Sequence, residues 1–344
     1  MKKIAFLMCS ETVGGHEFQS VELIKLVSSY CECTVFCNNQ HQLGLFEGIK
    51  ANIKVTGKPF FRNQMFLFQF ARAVINIYKL RPLLSEYDKI VVCAGTTEAG
   101  ISTSFSLLGK NLMLYVPMYV DRSLLWGSIG LIYNCFAKLF LLPYSAVITI
   151  NRFQALYFKQ KPVYVIPNNI EQNPNAQLNA IETRRRLYFI GRLTTQKRLV
   201  ELLKWLDHPS NKFVDMIIIG DGDERDKILE LISNLKYISV TLKGWLNKTQ
   251  QESLITYNDI LVLNSAYEGD PLIIREANDR GSVVLSRNIV GVRASTYKAH
   301  RFDDQKALLN LLNLAYINNL RVYKNQSVQE IQEIRSNVAA KLFV

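Results

Sequence analysis

Glu268-Gly-Asp-Pro-Leu-Ile-Ile-Arg-Glu276 follows the apolar run Ile260–Leu263, and its reading decides the fold. The run has the length and composition of a buried strand, and Pro271 stands where a helix begins. Glu268 then lies on the loop at the strand's C-terminal end, with Glu276 about two turns further on, inside the helix. The N–H groups of Leu272, Ile273 and Ile274 have no carbonyl one turn back, so the helix start offers a phosphate site. A carboxylate, an anion pocket and a second carboxylate in that order suit a sugar nucleotide. One acid meets the sugar, the amides the diphosphate, and the other acid the ribose hydroxyls.

Working outward, the stretch Ser265-Ala-Tyr-Glu-Gly-Asp-Pro-Leu-Ile-Ile-Arg-Glu-Ala-Asn278 resembles the E-x7-E motif of retaining glycosyltransferases of family 4. Three more segments match that family in its order: Tyr188-Phe-Ile-Gly-Arg192-Leu-Thr-Thr-Gln-Lys197, Ile217-Ile-Ile-Gly220-Asp-Gly222 and Val240-Thr-Leu-Lys-Gly244-Trp245. The likeness is specific from about Tyr188 to Leu285 and looser elsewhere. It implies an α/β chain of the GT-B plan, with two Rossmann-like domains facing across a cleft. Residues 1–165 would form an N-terminal acceptor-binding domain and 166–320 a sugar-nucleotide-binding domain. Residues 321–344 would supply a helix that crosses back to the first.

The composition fits two domains of ordinary size. The chain has 344 residues, 49% hydrophobic and 20% charged, which excludes a disordered polyelectrolyte. The net charge of +12 is uneven: residues 1–165 carry 17 Lys/Arg against 9 Asp/Glu. A basic surface can meet nucleic acid, anionic lipid or an anionic substrate. No nucleic-acid-binding motif accompanies it, so nucleic acid is not the expected partner. All six cysteines fall in the first half. Cys31, Cys33 and Cys37 form the only cluster, and His41 is the sole neighbouring candidate for a further zinc ligand. The simpler reading is a short strand, Cys33–Cys37, whose reduced thiols pack as small apolar groups, which suggests the cytosol.

The opening Lys2-Lys-Ile-Ala-Phe-Leu-Met-Cys9 is too short in its apolar run for a signal peptide and reads as a first buried strand. The loop after it contains Gly14 and Gly15 and leads into a helix whose apolar face is Val21, Ile24 and Val27. A glycine pair there allows close backbone approach to a ligand. Further strands are expected at Thr34–Cys37, Lys89–Cys93, Leu112–Val116 and Ala146–Ile150. A second round would begin near Val163–Ile166 and continue through Leu187–Ile190, Met216–Ile219, Ser239–Leu242, Ile260–Leu263 and Val283–Leu285. Alternation of strand and helix implies parallel sheets covered on both faces, with ligands at the strands' carboxyl ends.

Two apolar stretches stand apart. Leu124–Leu142 nearly reaches the length of a membrane span, but its place between two strands favours a buried or interfacial helix. In Phe60–Arg81, the stripe Phe66, Phe70, Ala73 and Ile77 reads as a core face. Phe68, Arg62, Arg72 and Arg81 fall elsewhere, as on a helix lying on a membrane surface.

The family resemblance assigns roles. Arg192 and Lys197 would bind the donor diphosphate and stabilise the leaving charge, and Glu268 would hold the sugar for front-face attack. Glu276 would take the ribose hydroxyls. Gly269, Asp270, Pro271, Leu272 and Ile273 would give contacts to sugar and phosphate, Gly244 and Trp245 would border the base, and Gly14 and Gly15 would approach the donor. His16 and Glu17 would face the acceptor. No D-x-D stands out in a loop after a first-domain strand, and two cations with a helix N-terminus can do a metal's electrostatic task, so no metal or other cofactor is expected. The chain departs from the family in three places. Leu114-Tyr-Val-Pro117 lacks the usual histidine, Asp270 replaces an aromatic or small residue, and Gly281-Ser-Val-Val lacks a proline. The expected activity is transfer of a hexose-type sugar, UDP-linked by preference, to a glycan or lipid-linked acceptor in bacterial surface polysaccharide or lipopolysaccharide assembly. The expected place is the cytoplasmic face of the cell membrane, held by anionic lipid. Rival readings are a sugar-nucleotide epimerase on the same scaffold and a non-catalytic GT-B subunit.

Overall fold

The structure, a computed structural model, describes all residues except 12–14, 57–58, 63–65, 170–184 and 257–258, and the side chains of 66–67 and 124–126. Two compact units divide the chain: Met1–Ile170 with Ser327–Val344, and Glu171–Gln326.

The first unit is built on seven parallel strands: β1 (Lys3–Cys9), β2 (Glu32–Cys37), β3 (Asn52–Val55), β4 (Lys89–Ala94), β5 (Leu112–Tyr115), β6 (Ala146–Thr149) and β7 (Val163–Val165). Their order is β3-β2-β1-β4-β5-β6-β7. The central strands are buried on both faces, which is why they read as continuous apolar runs. Cys33, Val35 and Cys37 lie together in the core, and burial pushes both thiols up to about 12. Among the described residues no group of three His, Cys, Asp or Glu side chains is placed to hold a metal. The helix Val328–Phe343 opens with a capping box, Ser327 to Glu330, and sends Ala339, Leu342 and Phe343 into this core. Its Arg335 is anchored by the carbonyls of Pro167 and Glu22.

Three sequence expectations need correction here. Val163–Val165 does not open the second round; it pairs with β6 as the last strand of the first sheet. The core face of the helix Phe66–Leu83 is turned by one position from the expected stripe. Gln69, Ala73, Asn76 and Leu80 are buried, whereas Ile77 is exposed and the Phe66 side chain lies outside the description. The reason is polar: Asn76 donates to the carbonyls of Phe60 and Ser102, both at 2.8 Å, which offsets part of the cost of burying its amide. Finally, of the two alternatives expected for Leu124–Leu142, a buried or an interfacial helix, the buried one does not hold. It forms a helix Ser123–Ala137, broken at Gly127, whose Ile129, Leu131, Ile132 and Phe136 face outward. No helix among the described residues is long and apolar enough to cross a membrane.

The second unit has six parallel strands: β8 (Leu187–Ile190), β9 (Asp215–Ile219), β10 (Ser239–Leu242), β11 (Ile260–Leu263), β12 (Val283–Arg287) and β13 (Arg301–Phe302). Their order is β10-β9-β8-β11-β12-β13, so the winding reverses between β8 and β11. In open sheets of this kind the ligand crevice lies at that reversal, outside the carboxyl ends of the strands.

Candidate active site

Arg192, Lys197 and Glu268, singled out in the second half, lie on the loops that follow β8 and β11, at the reversal. β8 ends at Ile190, and Gly191 turns the chain with its amide on the Ile219 carbonyl. The neighbouring loops are in backbone contact: a Cβ on Gly220 would lie 1.9 Å from the Gly191 carbonyl oxygen, and its φ of +140° suits glycine alone. The loop after β8 then grips the loop after β11. Gln196 takes the Ala266 amide on its carbonyl at 2.8 Å, and its side chain donates to the Tyr267 carbonyl at 2.9 Å. At the end of this clasp the Lys197 ammonium meets the Glu268 carboxylate at 2.5 Å, with both side chains mostly buried. Arg192 points to the surface from the same loop, and its guanidinium has no hydrogen-bond or ion-pair partner among the described residues. Thus Lys197 and Glu268, 71 residues apart, meet at the carboxyl ends of β8 and β11, with Arg192 on the same loop as Lys197.

The helix that follows runs Leu272–Asp279, with Pro271 in extended conformation as its N-cap. Of the amides expected to be open, that of Ile274 is taken by the Pro271 carbonyl at 3.0 Å. Leu272 and Ile273 hold the first two helical positions, where the amide has no carbonyl one turn back. Asp270 does not cap this helix. It is buried, and its carboxylate accepts from Nη2 and Nε of Arg275 at 2.9 and 3.2 Å. The extra negative charge is therefore spent on holding the loop. Gly269 lies under this turn, where the Gly291 backbone comes so close that a Cβ there would sit 2.0 Å from the Glu268 carbonyl oxygen. Glu276 lies in open surface but in a crowded setting: desolvation pushes its carboxyl above the usual value, partly offset by Lys248 and Arg280. Gly244 bonds its carbonyl to the Gly220 amide, and Trp245 next to it is 74% exposed.

In the first unit, Gly14 lies outside the described residues, and Gly15 is exposed at the start of the helix Gly15–Ser28. His16 stacks on Tyr115 with ring centroids 6.0 Å apart, beside Gly95 at the end of β4. Burial pushes its imidazole below the usual value, against the pull of Glu17 and the Cys93 backbone. Glu17 is itself buried. These residues occupy the β1/β4 reversal of the first sheet, which corresponds to the crevice position of the second.

Residues 171–309 match the family model described as glycosyl transferases group 1. That match falls within the second unit. Among solved structures, the chain resembles the lipopolysaccharide outer core galactosyltransferase WaaB in its apo form, with a TM-score of 0.68 and 19% identity over 99% of this chain and 96% of that one. It also resembles Anabaena HepE in complex with UDP and glucose, with a TM-score of 0.65 and 18% identity over 99% and 94%. A third is sucrose-phosphate synthase from Thermosynechococcus elongatus, with a TM-score of 0.67 and 14% identity over 100% and 95%. The fold is GT-B. A comparison with curated proteins finds no match.

Sequence reasoning missed the supports of the site. Gln196, Gly291 and the trio Asn264, Glu201 and Arg287 carry no motif. Only the polar Asn264, directly after a wholly apolar strand, hints at a buried contact.

Proposed function

We propose that the protein is a retaining glycosyltransferase of family 4. It moves a hexose-type sugar from a nucleoside diphosphate donor, UDP by preference, to a glycan or lipid-linked acceptor in bacterial polysaccharide or lipopolysaccharide synthesis. The observation that carries this is the meeting of Lys197 and Glu268 at the β8/β11 reversal, with Arg192 beside them and the helix start at Leu272 next in the chain. In this reading the donor diphosphate lies against Arg192, Lys197 and the amides of Leu272 and Ile273. As the sugar–phosphate bond lengthens, charge grows on the diphosphate, and preorganised cations and amide dipoles stabilise it without solvent reorganisation. Lys197 has a second task. Before donor binds, it neutralises Glu268, which a lone carboxylate at a phosphate site would require. Glu276 takes the ribose hydroxyls, and Trp245, exposed at the end of β10, offers a face to the base. The two cations replace a divalent ion, so transfer proceeds in the presence of a chelator. A UDP-linked donor is supported by the likeness to Anabaena HepE, which was captured with UDP-glucose. His16 and Glu17, at the corresponding edge of the first unit, are the acceptor side of the reading.

A lipid-linked acceptor is supported by the exposed apolar side chains of the first unit. Ile129, Ile132, Phe136, Leu139 and Leu142 are exposed together with Phe68 and Tyr78 of the neighbouring long helix. Phe70 of that helix packs near the buried Phe140, which ties the helix to the segment after Ala137. With the positive balance of residues 1–165, this fits peripheral attachment to an anionic leaflet, on the cytoplasmic side where nucleotide sugars are made.

The test is to incubate the protein with UDP-hexoses and a chelator, with lipid-linked glycans as acceptors, and read the anomeric configuration of the product by NMR. A product with retained configuration supports the reading; an inverted product or strict metal dependence contradicts it. Sedimentation with phosphatidylglycerol vesicles, but not with phosphatidylcholine alone, is the matching result for the membrane, and Phe136→Asp should weaken it.

A further inference from the structure

The residue after Lys197 is in an unusual conformation. Arg198 has φ +49° and ψ +38°, left-handed, a region that side-chain-bearing residues rarely occupy. Neighbouring structure must hold it there. The Arg198 carbonyl takes the Leu202 amide at 3.0 Å as the next helix begins, and the Arg198 guanidinium stands 3.8 Å from Glu201. The one side chain reaching this turn from the neighbouring strand, among the described residues, is Asn264, fully buried at the end of β11, four residues before Glu268. Its amide donates to the Arg198 carbonyl at 3.3 Å and to the Glu201 carboxylate at 2.9 Å. Its oxygen accepts from Arg287 at 3.1 Å, and Arg287 also reaches Glu201 at 3.3 Å. The Arg287 guanidinium lies over the Trp205 ring, 5.6 Å from its centroid. The network thus closes a ring between the helix Leu199–Leu206, β11 and β12, and it reaches the site through Arg198, beside Lys197, by the Asn264 amide and by Glu201.

We propose that Asn264, locked by Glu201 and Arg287, is a positioning residue for Lys197. It pins the Lys197–Arg198 turn against the end of β11, so the ammonium is presented at Glu268 and, on the reading above, at the donor diphosphate. The residue touches no substrate, and its effect passes through Lys197. Two chain segments that carry opposite charges of the site are thereby set by one buried amide. An aliphatic side chain of the same size fills the space but lets the turn relax to an ordinary backbone conformation, with Lys197 withdrawn from its partner.

The experiment reads Lys197 directly, without a nucleotide. Lysines of the native protein are labelled by reductive methylation under limiting reagent, and the rate at Lys197 is followed by mass spectrometry against exposed Lys227. Asn264→Leu should raise the Lys197 rate several-fold while Lys227 stays unchanged, and Arg287→Met should act in the same direction if Asn264→Leu folds poorly. An unchanged Lys197 rate in folded variants overturns the proposal, as does an equal rise at both lysines, which marks general loosening. A second arm measures UDP affinity by calorimetry. Asn264→Leu should weaken it about tenfold, roughly the effect of one lost charge-assisted hydrogen bond, and should add nothing in a Lys197→Ala background. Multiplying effects overturn the proposal. If UDP fails to bind the wild type while Lys197 labelling still responds to Asn264, it is the functional reading that fails.

Discussion

Replacing Gly291 by alanine tests the architecture of the site without touching any of its charges. Gly291 sits in the turn after β12, and its backbone packs against that of Glu268 and Gly269. An added Cβ would lie 2.0 Å from the Glu268 carbonyl oxygen, 2.5 Å from its carbon and 2.9 Å from the Gly269 oxygen. Ordinary contact begins at 3.4 Å, so one of the two loops must retreat by about 1.4 Å, and both are backbone. Overpacking of this kind costs about 1–3 kcal/mol of stability. The functional cost is larger, because a displacement of ~1 Å in a preorganised site can lower activity about a hundredfold. Urea unfolding followed by tryptophan fluorescence reads the first quantity, and UDP calorimetry with transfer rate reads the second. Gly44→Ala is the control: it has open space around it and should change stability by no more than about 0.5 kcal/mol. A Gly291→Ala protein as stable as the wild type, with UDP affinity intact, would refute the packing described for the Glu268 loop.

Lys197→Met leaves the Glu268 carboxylate mostly buried without its cation, and should destabilise the free protein by about 1–3 kcal/mol in thermal unfolding. Adding Glu268→Gln should recover most of that loss, and failure of recovery would mean the pair is not coupled in solution. Glu276→Gln should raise the melting temperature at pH 7 while abolishing nucleotide binding. The carboxyl is held above its usual value by desolvation, so its contribution to stability is present at low pH and declines as pH rises through the folded-state value. A melting temperature equal to that of the wild type at pH 7 would contradict this. His16 and His300 are both pushed below the ordinary 6.5 by burial, so the unfolded chain takes up protons first as pH falls. Stability should drop below about pH 6.5, and His16→Gln should flatten that slope in unfolding measured from pH 7.5 to 5.

Much of the fold was legible because buried parallel strands are written as short apolar runs. The two strands that escaped are those without that signature: β3, Asn52-Ile-Lys-Val55, is an exposed edge, and β13 has only two residues. Val163–Val165 was visible as a strand, but a lone strand does not say which sheet it joins. The turned face of the helix Phe66–Leu83 followed from one hydrogen-bonded Asn76 overriding an apolar pattern. Arg192, Lys197, Glu268 and Glu276 were singled out through the family resemblance, and of these the structure brings Lys197 and Glu268 into contact. The Asn264–Glu201–Arg287 ring could not be singled out, since its members are 63 and 23 residues apart from Asn264 and meet only through the sheet order. Asp270 looked anomalous beside a phosphate site until its partner Arg275 appeared one helical turn on.

The central claim is that the strand edge of the second unit binds a nucleoside diphosphate through fixed cations and helix amides. Calorimetry with UDP, GDP, ADP, CMP and dTDP in the presence of a chelator, repeated on Glu276→Ala and Arg192→Ala, tests it most directly. The account predicts metal-free binding selective for one diphosphate, weakened in both variants. Absence of binding by any nucleotide, or binding that both variants retain in full, would contradict it.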